Sequence, residues 1–122
     1  MPLKISRAEL EVMKTLWKKD DQTASEIHSL VSRHKDWSIR TVKTLLARLV
    51  EKNALRTTPE GRRFRYTTAI TETDYKTSAA GQFVDRIFSG RAAPLVAHLA
   101  DSRGLTDEDI AELEKLLEEL KK

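Results

Sequence analysis

Residues 38–55, SIRTVKTLLARLVEKNAL, constrain the fold more than any other stretch of the chain. As a helix they divide into two faces. Ile39, Val42, Leu45, Leu46, Leu49 and Val50 fall on one side; Arg40, Thr41, Thr44, Ala47 and Arg48 fall on the other, with Lys43 at its margin. Such a helix must bury one side, and the side it leaves in solvent carries cations among short polar side chains. An arginine-rich segment follows: Pro59-Glu60-Gly61-Arg62-Arg63, then Phe64-Arg65-Tyr66.

The flanking sequence supplies the boundaries of a small helical domain. Ser6-Arg7-Ala8-Glu9 and Thr23-Ala24-Ser25-Glu26 are capping boxes, in which a hydroxyl serves one free amide and a carboxylate returns to another. The helix after the first carries Leu10, Met13, Leu16 and Trp17 inward and ends at Asp20-Asp21-Gln22. The helix after the second carries Ile27, Leu30 and Val31. Ser38 is the expected cap of the third helix, Trp37 its staple to the core, and Asn53 its left-handed stop. Residues 55–58 and 63–67 read as two short strands around a Pro-Glu-Gly-Arg turn, with Phe64 and Tyr66 facing the core and Arg63 and Arg65 facing out. The order helix, helix, helix, hairpin is that of a winged helix-turn-helix domain, expected over residues 1–68.

Residues 69–122 change character. A long helix over 71–89 has a broad apolar stripe that includes Tyr75, Phe83, Val84, Ile87 and Phe88, weakened locally by Gly81 and broken at Ser89-Gly90. A short helix with Leu95, Val96 and Leu99 follows, and Gly104 punctuates its end. Thr106 caps a last helix with Ile110, Leu113, Leu116, Leu117 and Leu120 on one side. Three helices with this much apolar surface have little chain of their own to bury it, so a matching set from a second copy is the expected cover. The fold class is therefore mainly α with a small β-hairpin, a winged domain followed by a three-helix dimerisation arm. The residues expected at the dimer interface are Phe83, Ile87, Phe88, Leu95, Val96, Leu99, Ile110, Leu113, Leu117 and Leu120.

The net charge of +3 conceals an asymmetry: residues 1–66 hold 15 Lys/Arg against 8 Asp/Glu, and residues 67–122 hold 7 against 11. The first half suits a polyanion, and the second would be repelled by one. The chain has no cysteine, so disulfides and thiolate metal sites are excluded, and its longest apolar run, 92–97, is too short to span a bilayer. With no hydrophobic signal region at its start, a cytoplasmic location is expected. His28, His34 and His98 do not have metal-ligand spacing, and the acidic group Asp107, Glu108, Asp109 and Glu112 suits a first helical turn. Nothing assembles a nucleophile, a base and an orienting group; neither catalysis nor a cofactor is expected.

These segments resemble the penicillinase-repressor family (BlaI/MecI/CopY) over nearly the whole chain. The resemblance is carried by Ile5-Ser6, Glu9 to Met13 and Leu16-Trp17 in the first helix, and by Thr23-Ala24 with Glu26-Ile27 in the second. Thr41-Val42-Lys43-Thr44-Leu45-Leu46-Ala47-Arg48-Leu49-Val50-Glu51-Lys52 carries it in the third, and Gly61 to Tyr66 in the hairpin. Phe83 to Phe88 and Leu105 to Ile110 carry it in the arm. The resemblance implies a bacterial homodimeric repressor of an inverted-repeat operator, and in some members a sensor protease that cuts the arm at an Asn-Phe bond. The matching place here is His98-Leu99, and the cysteine-rich metal hook of copper-responsive members has no counterpart.

For duplex DNA the expected contacts follow from chemistry. A recognition helix turns its first residues to base edges, so Thr41, Lys43 and Thr44 are the candidates for base contact. Arg40 and Arg48 suit bases or phosphates, Ser38 suits a phosphate at the helix start, and Arg62, Arg63 and Arg65 suit phosphates or a minor groove. A winged-helix module that binds a protein partner instead of DNA is the competing class.

Overall fold

In a computed structural model that describes residues 3–122, nine elements follow one another. They are α1 (Arg7–Lys18), β1 (Gln22–Thr23), α2 (Ala24–Val31), α3 (Ile39–Glu51), β2 (Leu55–Glu60), β3 (Arg63–Thr68), α4 (Glu72–Phe88), α5 (Ala92–Ser102) and α6 (Asp107–Leu120). They form two compact units, one extending to Ala79 and the other comprising Ala80–Lys122.

Local chemistry starts and stops the helices. Ser6 Oγ accepts from the Glu9 amide at 3.1 Å while Glu9 Oε1 accepts from the Ser6 amide at 2.8 Å. Thr23 with Glu26 repeats this box on α2, and Thr106 with Asp109 on α6. Ser38 Oγ accepts from the Thr41 amide at 3.1 Å, as its cap position requires. Asn53 stops α3 at φ 65°, and Ser89 (φ 51°) and Gly90 (φ 80°) stop α4.

The first unit is built around Val12, Met13 and Leu16 of α1, Ile27 and Val31 of α2, Val42, Leu45, Leu46 and Leu49 of α3, and Ala54 and Leu55 at the start of β2. Val12 is fully buried and Leu10 only half-buried, so the inward side of α1 is rotated from the one expected. Leu30 is likewise half-buried. Trp37 packs against this core, and its carbonyl lies 2.7 Å from His28 Nε2. Trp17 also packs against it, donates its indole N–H to the Ile70 carbonyl at 3.1 Å, and lies 5.6 Å from the Tyr75 ring.

The sheet differs from the expected hairpin in two ways. It has three antiparallel strands in the order β1-β3-β2, because Gln22 and Thr23 pair with Tyr66 and Arg65. The strands β2 and β3 pair from Leu55↔Thr68 to Glu60↔Arg63, so Pro59 lies in the strand opposite Phe64 and only Gly61-Arg62 turn. Gly61 takes the left-handed conformation (φ 61°) that a two-residue connection favours. Pro59 is tolerated because β2 is an edge strand.

The second unit is helical and has no fully buried residue. Phe88 meets Phe83 and His98, at centroid distances of 6.0 and 5.6 Å. Phe83, Ile87, Ile110, Leu116, Leu117 and Leu120 are exposed. Among the described residues no helix is long and apolar enough to cross a membrane.

One buried charge ties α1 to the end of α3. Glu9 is 1% exposed, and its Oε1 receives Lys52 Nζ at 2.6 Å, while the same ammonium donates to the Lys4 carbonyl at 2.8 Å. Burial raises the Glu9 pKa, but the hydrogen bonds from Lys52 and from Ser6 outweigh it and hold the carboxyl below its ordinary range. Because the folded value is depressed, the stabilisation is present above the ordinary carboxylate pKa and is lost as pH falls through the folded value. Lys52→Met strands the buried carboxylate and is expected to cost roughly 1.5–3 kcal/mol at neutral pH. Urea denaturation of wild type and variant should show that gap narrowing as the solution is acidified to about pH 3. A gap that stays constant with pH would exclude a charged Glu9 as its source.

Candidate nucleic-acid interface

Complete burial of one side of α3 fixes what the other side presents. Val42, Leu46 and Leu49 are 0% exposed and Leu45 4%, so the helix cannot rotate without bringing a charge into the core. Arg40, Thr41, Lys43, Thr44, Ala47 and Arg48 are all exposed. At the start of the helix, Ser38 Oγ and Thr41 Oγ1 are 3.1 Å apart, and Thr44 Oγ1 donates back to the Arg40 carbonyl at 3.0 Å. These bonds orient the short side chains of Ser38, Thr41 and Thr44, all three of which are exposed. Arg40, Lys43 and Arg48 form no ion pair among the described residues.

The hairpin brings further cations beside this helix. A cleft of about 360 Å³ is lined by Lys43 of α3, Arg62, Arg63, Phe64 and Tyr66 of the hairpin, and Thr23, Ala24 and Ser25 at the start of α2. It contains three cationic side chains and no carboxylate. Arg62 is unpaired among the described residues, and Arg63 has one long contact, 3.8 Å, to the exposed Glu60. Lys43, Arg62 and Arg63, singled out from sequence, are thus brought together, whereas Ser38, Arg40, Thr41, Thr44 and Arg48 occupy the exposed side of α3 outside the cleft lining.

Two residues of the hairpin depart from the alternation expected of them. Phe64, expected to face the core, is 50% exposed and lines the cleft. Arg65, expected to face a phosphate, is the more enclosed of the two, and carboxylates occupy its guanidinium. Its Nε donates to Asp21 Oδ1 at 2.9 Å, its Nη1 to Glu60 Oε2 at 3.1 Å, and its Nη2 to the Asp21 carbonyl at 2.7 Å. Asp21 and Glu60 therefore raise the Arg65 pKa above its already high ordinary value. The cause is β1: its pairing with β3 brings the preceding Asp21 and the following Glu26 within reach of the Arg65 guanidinium. The same pairing sets Thr23 to Ser25 beside the hairpin. The capping box located the start of α2 in the sequence, but a two-residue strand has no periodicity that would have placed it there. Glu26 is held below its ordinary pKa by the Thr23 backbone and side-chain hydrogen bonds, with Arg65 contributing less.

A second cationic cleft, about 320 Å³, lies between α1 and α2, lined by Thr15, Lys18, Lys19, Leu30, Arg33 and His34. His34 lies beyond the end of α2 and approaches Glu11 at 3.3 Å, and no group of metal-ligating side chains occurs among the described residues.

Comparison with known proteins adds an independent line of evidence. The family model described as Penicillinase repressor matches residues 5–119. The penicillinase repressor of Bacillus licheniformis is 39% identical over 117 residues, covering 96% of this chain and 91% of the relative. The methicillin resistance regulatory protein MecI of Staphylococcus aureus is 31% identical over 113 residues, covering 93% and 92%. Among solved structures, the Bacillus licheniformis BlaI monomeric form in complex with the blaP half-operator is 44% identical, with a TM-score of 0.53, over 62% of this chain and 92% of that one. MarR from E. coli, 21% identical with a TM-score of 0.54, covers 98% of this chain and 79% of its own, and shares the fold. With its capped α3, basic hairpin and near full-length match, this chain belongs to the penicillinase-repressor family.

Proposed function

We propose that this protein is a sequence-specific DNA-binding transcriptional repressor that acts as a homodimer on an inverted-repeat operator. The observation that carries the reading is the cleft shared by Lys43 of α3 with Arg62 and Arg63 of the hairpin, which holds three cations and no carboxylate and takes its Lys43 from the exposed face of α3. A duplex offers that geometry what it needs: base edges in a major groove for α3, and an adjoining phosphate strand for the hairpin. The naming of relatives as repressors, and of BlaI with a half-operator, supports the same reading.

Thr41, Lys43 and Thr44 are assigned to base contact. Lys43 can donate to guanine, and the threonine methyls can meet the thymine methyl. Ser38, Arg40, Arg48, Arg62 and Arg63 are assigned to phosphate, with Phe64 packing against the sugar-phosphate wall. The DNA-binding surface is assigned to residues 1–68 and the dimerisation surface to 69–122, although the first compact unit runs on to Ala79 because Trp17 holds Ile70 and Tyr75. In the latter, Phe83, Ile87, Phe88, Leu95, Val96, Leu99, Ile110, Leu113, Leu117 and Leu120 meet a second copy. The absence of any fully buried residue in the second unit supports this assignment. Dimerisation makes the second half-site contact effectively intramolecular, so operator affinity depends steeply on it. Repression follows from occupying a promoter. A sensor protease acting at His98-Leu99 would have to open α5, in which that bond lies.

Three measurements test these assignments. Arg62→Ala/Arg63→Ala is expected to weaken binding to operator and random duplex alike and to lower the salt slope by about 2. An unchanged slope in a salt titration would refute phosphate contact. Lys43→Ala and Thr44→Ala are expected to change the sequence recovered from a randomised duplex pool by about 1–3 kcal/mol of discrimination at the contacted positions. Recovery of the wild-type site by both would remove them from the base-reading set. Leu113→Glu/Leu117→Glu is expected to sediment as a monomer with much weakened operator binding. Wild-type protein that is itself monomeric at micromolar concentration would defeat the dimer.

A further inference from the structure

Arg65 lies in the middle of the hairpin but spends its guanidinium on three carboxylates from three different parts of the domain. Asp21 belongs to the segment between α1 and α2, Glu26 to the first turn of α2, and Glu60 to the neighbouring strand β2. The Asp21 contact is the closest of the three, 2.9 Å from Nε, and is reinforced by the backbone carbonyl of the same residue at 2.7 Å. Asp21 reaches this position through a left-handed backbone, φ 61°. Its neighbour Asp20 accepts the Thr68 amide at 2.9 Å, so two successive aspartates hold the middle and the last residue of β3. Beyond Arg65 toward the tip, Arg63, Phe64 and Gly61-Arg62 are exposed, and among the described residues they are held by the β2 ladder and the long Glu60–Arg63 contact.

We propose that Arg65, Asp21 and Glu60 form a clasp that sets the angle of the wing, so that Arg62 and Arg63 stand beside Lys43. Arg65 is then a positioning residue that touches no phosphate itself, and two acidic side chains strengthen DNA binding. The inference rests on the reading of α3 and the wing as a duplex-binding surface. Its physical content is a reversal of sign. Simple Coulomb attraction requires that removing a carboxylate from this basic domain tighten its grip on a polyanion. A clasp requires the opposite, because the loss of wing placement removes contacts from Arg62 and Arg63. Lysine at position 65 is a second discriminant. It keeps the charge that a phosphate contact would use but loses the planar fork that reaches Asp21 and Glu60 together.

The experiment compares full-length wild type with Asp21→Gly/Glu60→Gln, Arg65→Lys and Arg65→Gln. Glycine is chosen at position 21 because it accepts the left-handed backbone. Binding to random-sequence duplex is titrated against salt, and amide order parameters of the wing are measured in DNA-free protein. The clasp requires Asp21→Gly/Glu60→Gln to bind about 3- to 10-fold more weakly despite two fewer negative charges, with a salt slope lower by about 1 to 2. It requires Arg65→Lys to fall as far as Arg65→Gln, and the order parameters of Gly61, Arg62 and Arg63 to drop in all three. Tighter binding by the carboxylate variant, or wild-type affinity for Arg65→Lys, overturns it. So does a wing that keeps its order in all three variants. If the wing loosens in the variants while wild type itself has no affinity for duplex, the clasp stands and the DNA-binding reading fails.

Discussion

The domain depends on the burial of one side of α3. Val42, Leu45, Leu46 and Leu49 supply the contacts of α3 with the core it shares with α1, α2 and the start of β2, and they are the buried positions of the helix. Interiors packed this closely tolerate neither rotation nor slippage of such a helix. The direction of Arg40, Thr41, Lys43, Thr44 and Arg48 is therefore a consequence of hydrophobic burial. A recognition surface obtained this way is rigid before its partner arrives, which reduces the entropy lost on binding. The cap at Ser38 and the Glu9–Lys52 pair at the opposite end of the same helix hold its two termini.

Electrostatics act on this scaffold at two ranges. At long range, the excess of Lys and Arg in the first half of the chain and of Asp and Glu in the second orients the protein in the field of a polyanion. At short range, the sign of a side chain does not decide its role. Arg65 is neutralised by its own domain, whereas Arg62, on the same hairpin, is not. The carboxylates of the first unit are concentrated on tasks of this kind: Glu9 holds Lys52, Glu26 caps α2, and Asp20, Asp21 and Glu60 hold β3. A basic domain can thus carry eight acidic residues in its first 66 without presenting any of them in the cleft beside α3.

The parts of this arrangement legible in sequence are those with a local cause. Capping boxes at Ser6 and Thr23, the cap at Thr106, the left-handed stop at Asn53 and the two faces of α3 each follow from residues within a few positions of one another. The parts that were not legible have distant causes. Alternation puts Phe64 inward and Arg65 outward, but the core reaches Tyr66 and stops short of Phe64, and Asp21, brought in by β1, takes the Arg65 guanidinium; nothing in Gln22-Thr23 announces a strand. The turn is two residues shorter than expected, because Pro59 looks like a turn residue and an edge strand admits it. Glu9 was recognised as half of a capping box, but its burial depends on Lys52, 43 residues away. The family likeness transferred the general position of the interface and left these side-chain assignments to the geometry.

The most direct test of the central claim is an amide chemical-shift map of the protein titrated with a duplex carrying its own operator. The first unit has cationic clefts besides the one next to α3 and the wing, among them one lined by Lys18, Lys19, Arg33 and His34. If the surface fixed by α3 burial is the one that meets DNA, the largest shifts fall on residues 38–48, on Thr23 to Ser25 and on Gly61 to Phe64, while Lys18, Lys19 and Arg33 stay near their free positions. Shifts concentrated on the second cleft, with the exposed side of α3 unaffected, would contradict the account.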